Sequence, residues 1–258
     1  MSRRAGPARG VLNPRPEGDF EHERLLPAEP LAPFIAHYWW VRWRVKKPAR
    51  VETLPHPSFH LTFESQRARW ELGGVHRRRF VRDLSGAGFV FGVKLRPAMA
   101  VPWLVSNAAA LAGKVVPFAR SLPTGEWPTI HEAIAAVEPV LLERLRRPDA
   151  TALRLRDLVE RAETDRTLVR VAQLGRDVRT LQRRFLKYVG VAPKWVLQRY
   201  RLHEAAEQLR AHPETPLAEL ALNLGYADQA HFARDFKATV GRSPKTFALT
   251  SRTSATGR

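Results

Sequence analysis

The stretch LGYADQAHFARDFKATVGRSPK, residues 224–245, decides the fold of the C-terminal half. After a polar break, apolar residues recur at a spacing of four, at Phe232, Phe236 and Val240. This spacing predicts a helix with one face directed to a core. The other side of the helix carries Gln229, Ala230, His231 and Arg234. A short helix with such a polar side is suited to contact a polar partner.

The same pattern occurs 51 residues earlier in the chain. The run Leu181-x-Arg183-x-Phe185-x4-Gly190-x2-Pro193-Lys194 matches Phe232-x-Arg234-x-Phe236-x4-Gly241-x2-Pro244-Lys245. An amphipathic stretch that ends in Leu-Gly precedes each copy, at Leu174-Gly175 and Leu224-Gly225. A helix, a tight glycine corner and a second helix make a helix-turn-helix, so the sequence predicts two of them.

Local signals set the ends of both second helices. Asp177 and Asp228 are placed to cap them through side-chain oxygens. Gly190 and Gly241 are expected to end them in a left-handed conformation, and the prolines three residues later open the next helices.

The outward-facing residues have the chemistry of base recognition. In the first copy Leu181, Phe185 and Val189 point inward, and Arg179, Gln182 and Arg183 point outward. Arginine pairs with the guanine edge and glutamine with the adenine edge in the major groove, while lysines such as Lys194 and Lys245 contact phosphates. The helix between the motifs, about 194–211, spans about 27 Å, which suits major-groove segments roughly 34 Å apart. A solvated helix face is the alternative interpretation of these side chains.

The composition favours a polyanionic partner. The 258 residues carry a net charge of +18, divided equally between residues 1–150 and 151–258. Nucleic acid is the usual partner of such a chain, although an arginine-rich composition alone would give the same charge. There is no cysteine, no apolar run long enough to cross a membrane and no apolar segment after the basic start MSRRAGPARG, so we expect a cytoplasmic protein.

The N-terminal half has the pattern of a small antiparallel sheet or barrel. Residues 1–30 are rich in proline, glycine and charge and predict a flexible arm. Short runs of aromatic and β-branched residues then predict strands at 37–45, 59–64, 68–74, 78–84 and 88–95. An amphipathic helix is expected over 129–147, with a kink or a break near residue 138 because of Pro139.

The remaining chain predicts almost only helix, in an α+β protein. Seven short helices are expected at 153–162, 167–174, 178–189, 194–211, 216–224, 229–240 and 244–249. We therefore predict a β-rich domain over 31–148, a helical domain over 151–250 and a disordered tail over 251–258.

The N-terminal half also offers candidate ligand residues. Trp39 and Trp43, with His56 and His60, are the candidates for an effector pocket, and packing within a barrel is the alternative. Two histidines four residues apart on a strand lie about 13 Å apart, so no metal site is predicted unless the chain turns at Pro57. No cofactor and no catalytic group are predicted either.

The C-terminal half, about 151–249, resembles the AraC/XylS family of bacterial transcription regulators, through LQRRFLKYVGVAPKWV, RLHEAA and LGYADQAHFARDFKATVGRSPKTF. The resemblance implies a seven-helix domain with two recognition helices, whose base-facing positions are Arg179, Gln182, Arg183, Gln229, Ala230, His231 and Arg234. The N-terminal half resembles a module found ahead of such domains, through HYWWVRWRV, ETLPHPSFHLTFE, GGVHRRRFVRDLSG and VFGVKLRP, which implies a cupin-like role in effector binding or dimerisation.

Two positions depart from the family pattern. Ala230 is small where the family often has a polar residue. The first helix of the first motif, within 168–177, is at least one residue short, and Arg170 stands where a leucine is expected. We therefore expect the first recognition helix to be held more loosely than the second.

The sequence thus predicts a sequence-specific DNA-binding regulator that is not an enzyme. Double-stranded DNA is the expected partner; a small-molecule effector, a second copy and RNA polymerase are further candidates, and a membrane is not. Two alternatives stay open: a ligand- or metal-binding N-terminal enzyme with an accessory DNA-binding domain, and an interaction protein that pairs through the 129–147 helix.

Overall fold

The computed structural model describes residues 3–6, 9–12, 18–118, 122–165, 167–168, 170–175 and 177–255, without the side chains of 251–255. The strands are β1 (Asp19–Leu25), β2 (Ile35–Arg44), β3 (Ala49–Thr53), β4 (His60–Glu64), β5 (Arg69–Gly73), β6 (Phe80–Leu84), β7 (Ala87–Leu95) and β8 (Val115–Pro117). The helices are α1 (Ala100–Trp103), α2 (Ile130–Glu143), α3 (Ala150–Thr164), α4 (Val178–Tyr188), α5 (Pro193–Ala211), α6 (Leu217–Asn223), α7 (Gln229–Val240) and α8 (Pro244–Ala255). Single 3-10 turns lie at Glu29–Leu31, Ala108–Leu111 and Val171–Leu174. The predicted α+β class is confirmed.

Six strands form one antiparallel sheet in the order β1-β2-β7-β4-β5-β8. All five predicted strands are present. On β4, Leu61 and Phe63 are buried whereas His60 and Thr62 are partly exposed, as the alternation predicts. The buried face holds an aromatic core in which Trp40 stacks on Phe89 at 4.4 Å between ring centroids.

Strands β3 and β6 pair with each other in a second, two-stranded sheet. A small cluster of buried side chains lies between this ribbon and the other face of the large sheet, formed by Trp43, Val45, Leu84 and Val90. The N-terminal half therefore has two apolar layers, one on each face of the large sheet.

The expectation of a flexible arm over 1–30 is wrong for much of that segment. Asp19–Leu25 is β1 and pairs with β2 along its whole length, and Arg4 forms a further bridge to Leu25. Leu12 donates its backbone N–H to Glu52 O at 2.9 Å. Backbone pairing with existing strands orders a segment whose composition alone predicts a loop. Residues 1–2, 7–8 and 13–17 lie outside the described residues.

Two helix predictions are also corrected. Helix α2 runs through Pro139 without a break and ends at Glu143, because its buried residues on both sides of the proline, Val137 and Leu141, keep it on the core. Helix α8 continues to Ala255, so a disordered tail is wrong for 251–255, and 256–258 lie outside the described residues.

The helical half has the predicted seven segments within its described residues, of which the second is only the 3-10 turn Val171–Leu174. The sequence predicted a helix over 167–174, within which Val169 is not described. None of the described helices is both long and apolar enough to cross a membrane.

The hydrophobic interior separates into two large clusters that do not follow the domain boundary. The larger one joins the aromatic core of the sheet to the first helix-turn-helix, including Leu174, Leu181, Phe185 and Val189. The smaller one belongs to the second helix-turn-helix, where only Leu12 and Leu54 come from the N-terminal half. Helix α5 runs through both, with Tyr200 in the first and Leu202 in the second.

Candidate nucleic-acid interface

Helix α7 is fixed at both ends and along its inner face. Asp228 Oδ1 accepts a hydrogen bond from the backbone N of His231 at 2.7 Å, and Gly241 ends the helix at φ 86°. Phe232 and Phe236 are fully buried, with ring centroids 5.6 Å apart. The predicted cap, stop and core face are confirmed, so the opposite face of α7 is held toward solvent.

All four predicted base-facing residues of α7 are exposed: Gln229, Ala230, His231 and Arg234. The imidazole of His231 stands edge-on to the ring of Tyr226, with centroids 5.2 Å apart. Tyr226 is itself buried, with Arg201 5.7 Å from its ring. The sequence reasoning did not identify Tyr226, although its place directly after the corner glycine is a usable signal. Its packing restricts the orientation of His231.

Helix α4 has the same construction in the first motif. Asp177 Oδ1 accepts from the backbone N of Thr180 at 3.0 Å, and this hydrogen bond lowers the pKa of the Asp177 carboxyl. Leu181 and Phe185 are buried, and Gly190 follows the helix at φ 90°. Both predicted ends of this helix are again confirmed.

The outer face of α4 is strongly basic. The predicted residues Arg179, Gln182 and Arg183 are all exposed. Two further exposed cations, Arg184 and Lys187, lie on the same helix and were not predicted as contacts. At helical spacing Arg183 and Lys187 share one edge of α4, which suits contact with a phosphate backbone.

The corners of the two motifs differ. In the second motif the seven-residue helix α6 leads to Gly225 at φ 73°, a left-handed conformation. In the first, the 3-10 turn leads to Gly175 at φ 167°, which is extended backbone. Gln173 holds this turn, since its Oε1 accepts from the backbone N of Arg170 at 2.7 Å. The first motif therefore differs from the second in two ways: its first helix is shortened to a 3-10 turn, as expected, and its corner glycine is extended.

A cleft of about 390 Å³ separates the two motifs along α5. Its cationic lining comes from Arg170, Lys194 and Arg201, and His231 lies at the same cleft. The carboxylate of Asp235 on α7 accepts a hydrogen bond from Gln198 on α5. This bond ties the second recognition helix to the connecting helix. Sequence reasoning found Lys194 here but not Arg170 or Arg201.

The two lysines predicted to contact phosphates lie in the first turns of helices. Lys194 is exposed at the start of α5, and Lys245 is exposed at the start of α8. In α8 the hydroxyl of Ser243 accepts from the backbone N of Thr246 at 3.1 Å. Helix N-termini favour anions, so both positions suit a phosphate.

The four residues predicted for an effector pocket do not form one pocket. Trp43 is buried in the cluster under the small sheet and borders an open cleft of about 550 Å³ that includes Phe89 and Trp127. Trp39 donates from Nε1 to His60 Nδ1 at 3.3 Å. His56 lies in the loop before β4, with its ring 4.3 Å from that of His203 on α5. The structure thus separates Trp43 from the other three.

The described residues contain no group of three or more His, Asp or Glu side chains that could hold a metal ion. The two histidines considered for a metal are not on one strand, because the chain turns at Pro57 and β4 begins only at His60. Each has a different partner, Trp39 for His60 and His203 for His56.

Comparison with known families divides the chain into the same two parts as the structure, a β-rich N-terminal half and a helical C-terminal half. Residues 170–249 match a family described as a helix-turn-helix domain, and residues 23–117 match a domain of unknown function (DUF6597). Residues 170–249 thus form the predicted helix-turn-helix domain. The resemblance of this domain to AraC/XylS regulators, predicted from its motifs, is thereby confirmed.

Curated relatives match only the helix-turn-helix region. The HTH-type transcriptional activator RhaS of Escherichia fergusonii is 35% identical over 68 residues, which cover 26% of this chain and 24% of RhaS. RhaS of Escherichia coli O139:H28 is 34% identical over 73 residues, which cover 28% of this chain and 26% of RhaS. The chain thus spans about a quarter of the length of the relatives it matches.

Solved structures with a similar chain course include ToxT from Vibrio cholerae O395. It superimposes with a TM-score of 0.43 at 11% identity, over 83% of this chain and 96% of ToxT. A second crystal form of ToxT from Vibrio cholerae gives a TM-score of 0.41 at 10% identity, over 90% of this chain and 95% of that one.

Proposed function

We propose that this protein is a bacterial sequence-specific DNA-binding transcription regulator that inserts α4 and α7 into successive major-groove segments of one duplex. One observation carries the proposal. Every residue predicted to face bases is exposed, on helices whose opposite faces are fixed in separate cores. Exposed arginine and glutamine on a rigid helix are the groups that read base edges.

The connecting helix and the charge support this arrangement. Helix α5 has 19 residues and is about 28 Å long, so it separates the two motifs by a length comparable to one turn of the duplex. The basic cleft between the motifs faces the segment of duplex that would lie between the two helices. The relatives that match this region are named transcriptional activators.

The N-terminal half has a regulatory role in this proposal, and the protein works in the cytoplasm on double-stranded DNA. A small-molecule effector, a second copy and RNA polymerase are proposed as further partners. Pairing through α2 is disfavoured, because its apolar residues, including Ile130 and Val137, are buried in this chain's own core.

The test begins with selection of bound sites from random duplexes by the full chain. The selected duplex and a scrambled one then serve to measure Kd for the wild type, Arg234→Ala and a control, Arg69→Ala, which removes an exposed arginine of β5. Loss of one base contact predicts about 5- to 150-fold weaker binding to the selected duplex for Arg234→Ala. Binding of Arg234→Ala to the scrambled duplex changes little. Binding of the control variant Arg69→Ala changes little on both duplexes.

Equal loss on both duplexes would show that Arg234 contacts only the backbone. Failure of the full chain to enrich any sequence would overturn the proposal itself.

A further inference from the structure

A cationic side chain at the start of the first helix-turn-helix stands where the second has a core residue. Arg170 and Leu220 each lie five residues before the corner glycine of their motif. Leu220 is fully buried in the second core, whereas Arg170 is exposed. The first helix of the first motif is reduced to the 3-10 turn that follows Arg170. The shortened helix therefore releases this side chain from the core.

The backbone at Arg170 is extended and held in place. Its φ and ψ angles are −125° and 142°. Gln173 fastens the turn at two points, since its Oε1 accepts from Arg170 N at 2.7 Å and its Nε2 donates to Thr167 O at 3.0 Å. From this fixed backbone the side chain of Arg170 reaches the wall of the cleft between the two motifs.

A second arginine lines the same cleft from the connecting helix. Arg201 of α5 has its guanidinium 5.7 Å from the ring centre of Tyr226, and its Nη1 donates to the backbone O of the second corner glycine at 3.5 Å. Lys194 lies about two turns earlier on the same face of α5. The carboxylate on the cleft wall, Asp235, accepts a hydrogen bond from Gln198. The cations of the cleft therefore outnumber its carboxylates.

The cleft opens toward the duplex in the proposed complex, because His231, a predicted base-facing residue of α7, also lines it. When two helices enter successive major-groove segments on one side of a duplex, the minor groove faces the protein midway between them. The minor groove is about 6 Å wide, and A·T tracts narrow it and strengthen its negative potential. Such a groove attracts arginine side chains.

We propose that the cleft receives the minor groove at the centre of the operator, where Arg170 and Arg201 favour an A·T-rich, narrow groove over a G·C-rich one. This inference rests on the proposed DNA-binding function and adds a third recognition element to the two helices. It assigns to the centre of the operator a sequence preference that acts through groove shape and potential. The shortened first motif thereby gains a DNA contact at a position that the second motif uses for packing.

The experiment begins with the selection of bound sites by the full chain, which is expected to return two half-sites with A·T base pairs between them. Three versions of the selected duplex then differ only at the central base pairs, which are A·T, G·C or I·C. Inosine lacks the 2-amino group of guanine, so an I·C pair resembles G·C in the major groove and A·T in the minor groove. The wild type binds the A·T and I·C centres with equal Kd and the G·C centre at least about 5-fold more weakly.

Two variants assign this preference to the cleft. Arg170→Leu introduces the residue of the second motif and loses most of the preference for the A·T and I·C centres. The matched control Arg69→Leu, at an exposed arginine of β5, keeps the preference. Because Arg170 is exposed, the substitution is expected to leave the fold intact, and thermal unfolding of both variants checks this.

Equal Kd for the three centres, or an I·C centre that behaves like G·C, would overturn the inference while the proposed function stands. Suppose instead that Arg170→Leu weakens binding equally on all three duplexes and lowers the salt slope of log Kd by about one. Arg170 would then contact only a phosphate, and its role in the minor groove would be wrong. Failure to enrich any sequence would overturn the proposed function and this inference together.

Discussion

The two helix-turn-helix units repeat one sequence pattern but are stabilised differently. The second has a complete first helix, a left-handed corner glycine and a core that takes only Leu12 and Leu54 from the N-terminal half. The first has a single 3-10 turn, and its core is continuous with that of the sheet. Similar motifs therefore do not imply similar sources of stability.

The N-terminal half also contacts the two units through different chemistry. In the first unit α4 packs on Ala108–Leu111, where a Cβ added at Gly190 would be 3.1 Å from Ala108 O. In the second, Arg79 donates to Val240 O at 3.1 Å and Arg242 donates to Leu12 O at 2.7 Å. The first contact is close and mainly apolar, whereas in the second arginine hydrogen bonds add to the apolar contacts of Leu12 and Leu54.

The largest expected effect comes from emptying each core in turn. Phe185→Ala and Phe236→Ala each remove a fully buried ring and are expected to cost about 3–5 kcal/mol. Hydrogen exchange should show that the two variants lose backbone protection in different segments. Phe185→Ala loosens both α4 and the strands of the large sheet, while Phe236→Ala loosens α6 to α8 and leaves the sheet protected. The comparison fails if the two variants loosen the same segments.

A smaller effect is expected at the corner glycines. Gly225→Ala places a Cβ on left-handed backbone at φ 73° and should cost about 1–2 kcal/mol of unfolding free energy. Gly175→Ala lies on extended backbone in open space and should cost little. Chemical denaturation of the two variants compares them directly. Equal costs would show that both corners turn alike.

The smallest effect concerns the polar contact of the second unit. Arg79→Met removes the hydrogen bond to Val240 O and the ion pair with Glu52 at 3.4 Å, for a loss of about 0.5–1.5 kcal/mol. We expect faster exchange only near Val240 and in β3. Loss of protection throughout α7 instead would mean that the second core does not support itself.

Much of this organisation was predictable because it is periodic. The spacing of four gave α7, and alternation on β4 separated Leu61 from His60. Short-range signals, the caps at Asp177 and Asp228, also placed α4 and α7. Physical rules that act within one turn or one strand can be applied to a sequence directly.

What the sequence missed depends on distant partners. β1 was predicted as a loop, because β2 supplies its hydrogen bonds and nothing local favours a strand. Arg170 and Arg201 meet across a cleft that exists only once the two motifs are assembled on α5.

The central claim is that both α4 and α7 read bases on one duplex, and methylation interference on the selected site tests it most directly. Guanine N7 lies in the major groove, so methylation blocks binding where a recognition helix enters. The account predicts two clusters of interference separated by about one helical turn, with Arg183→Ala relieving one and Arg234→Ala the other. A single cluster that responds to Arg234→Ala alone would contradict it, because the shorter first motif would then not read DNA.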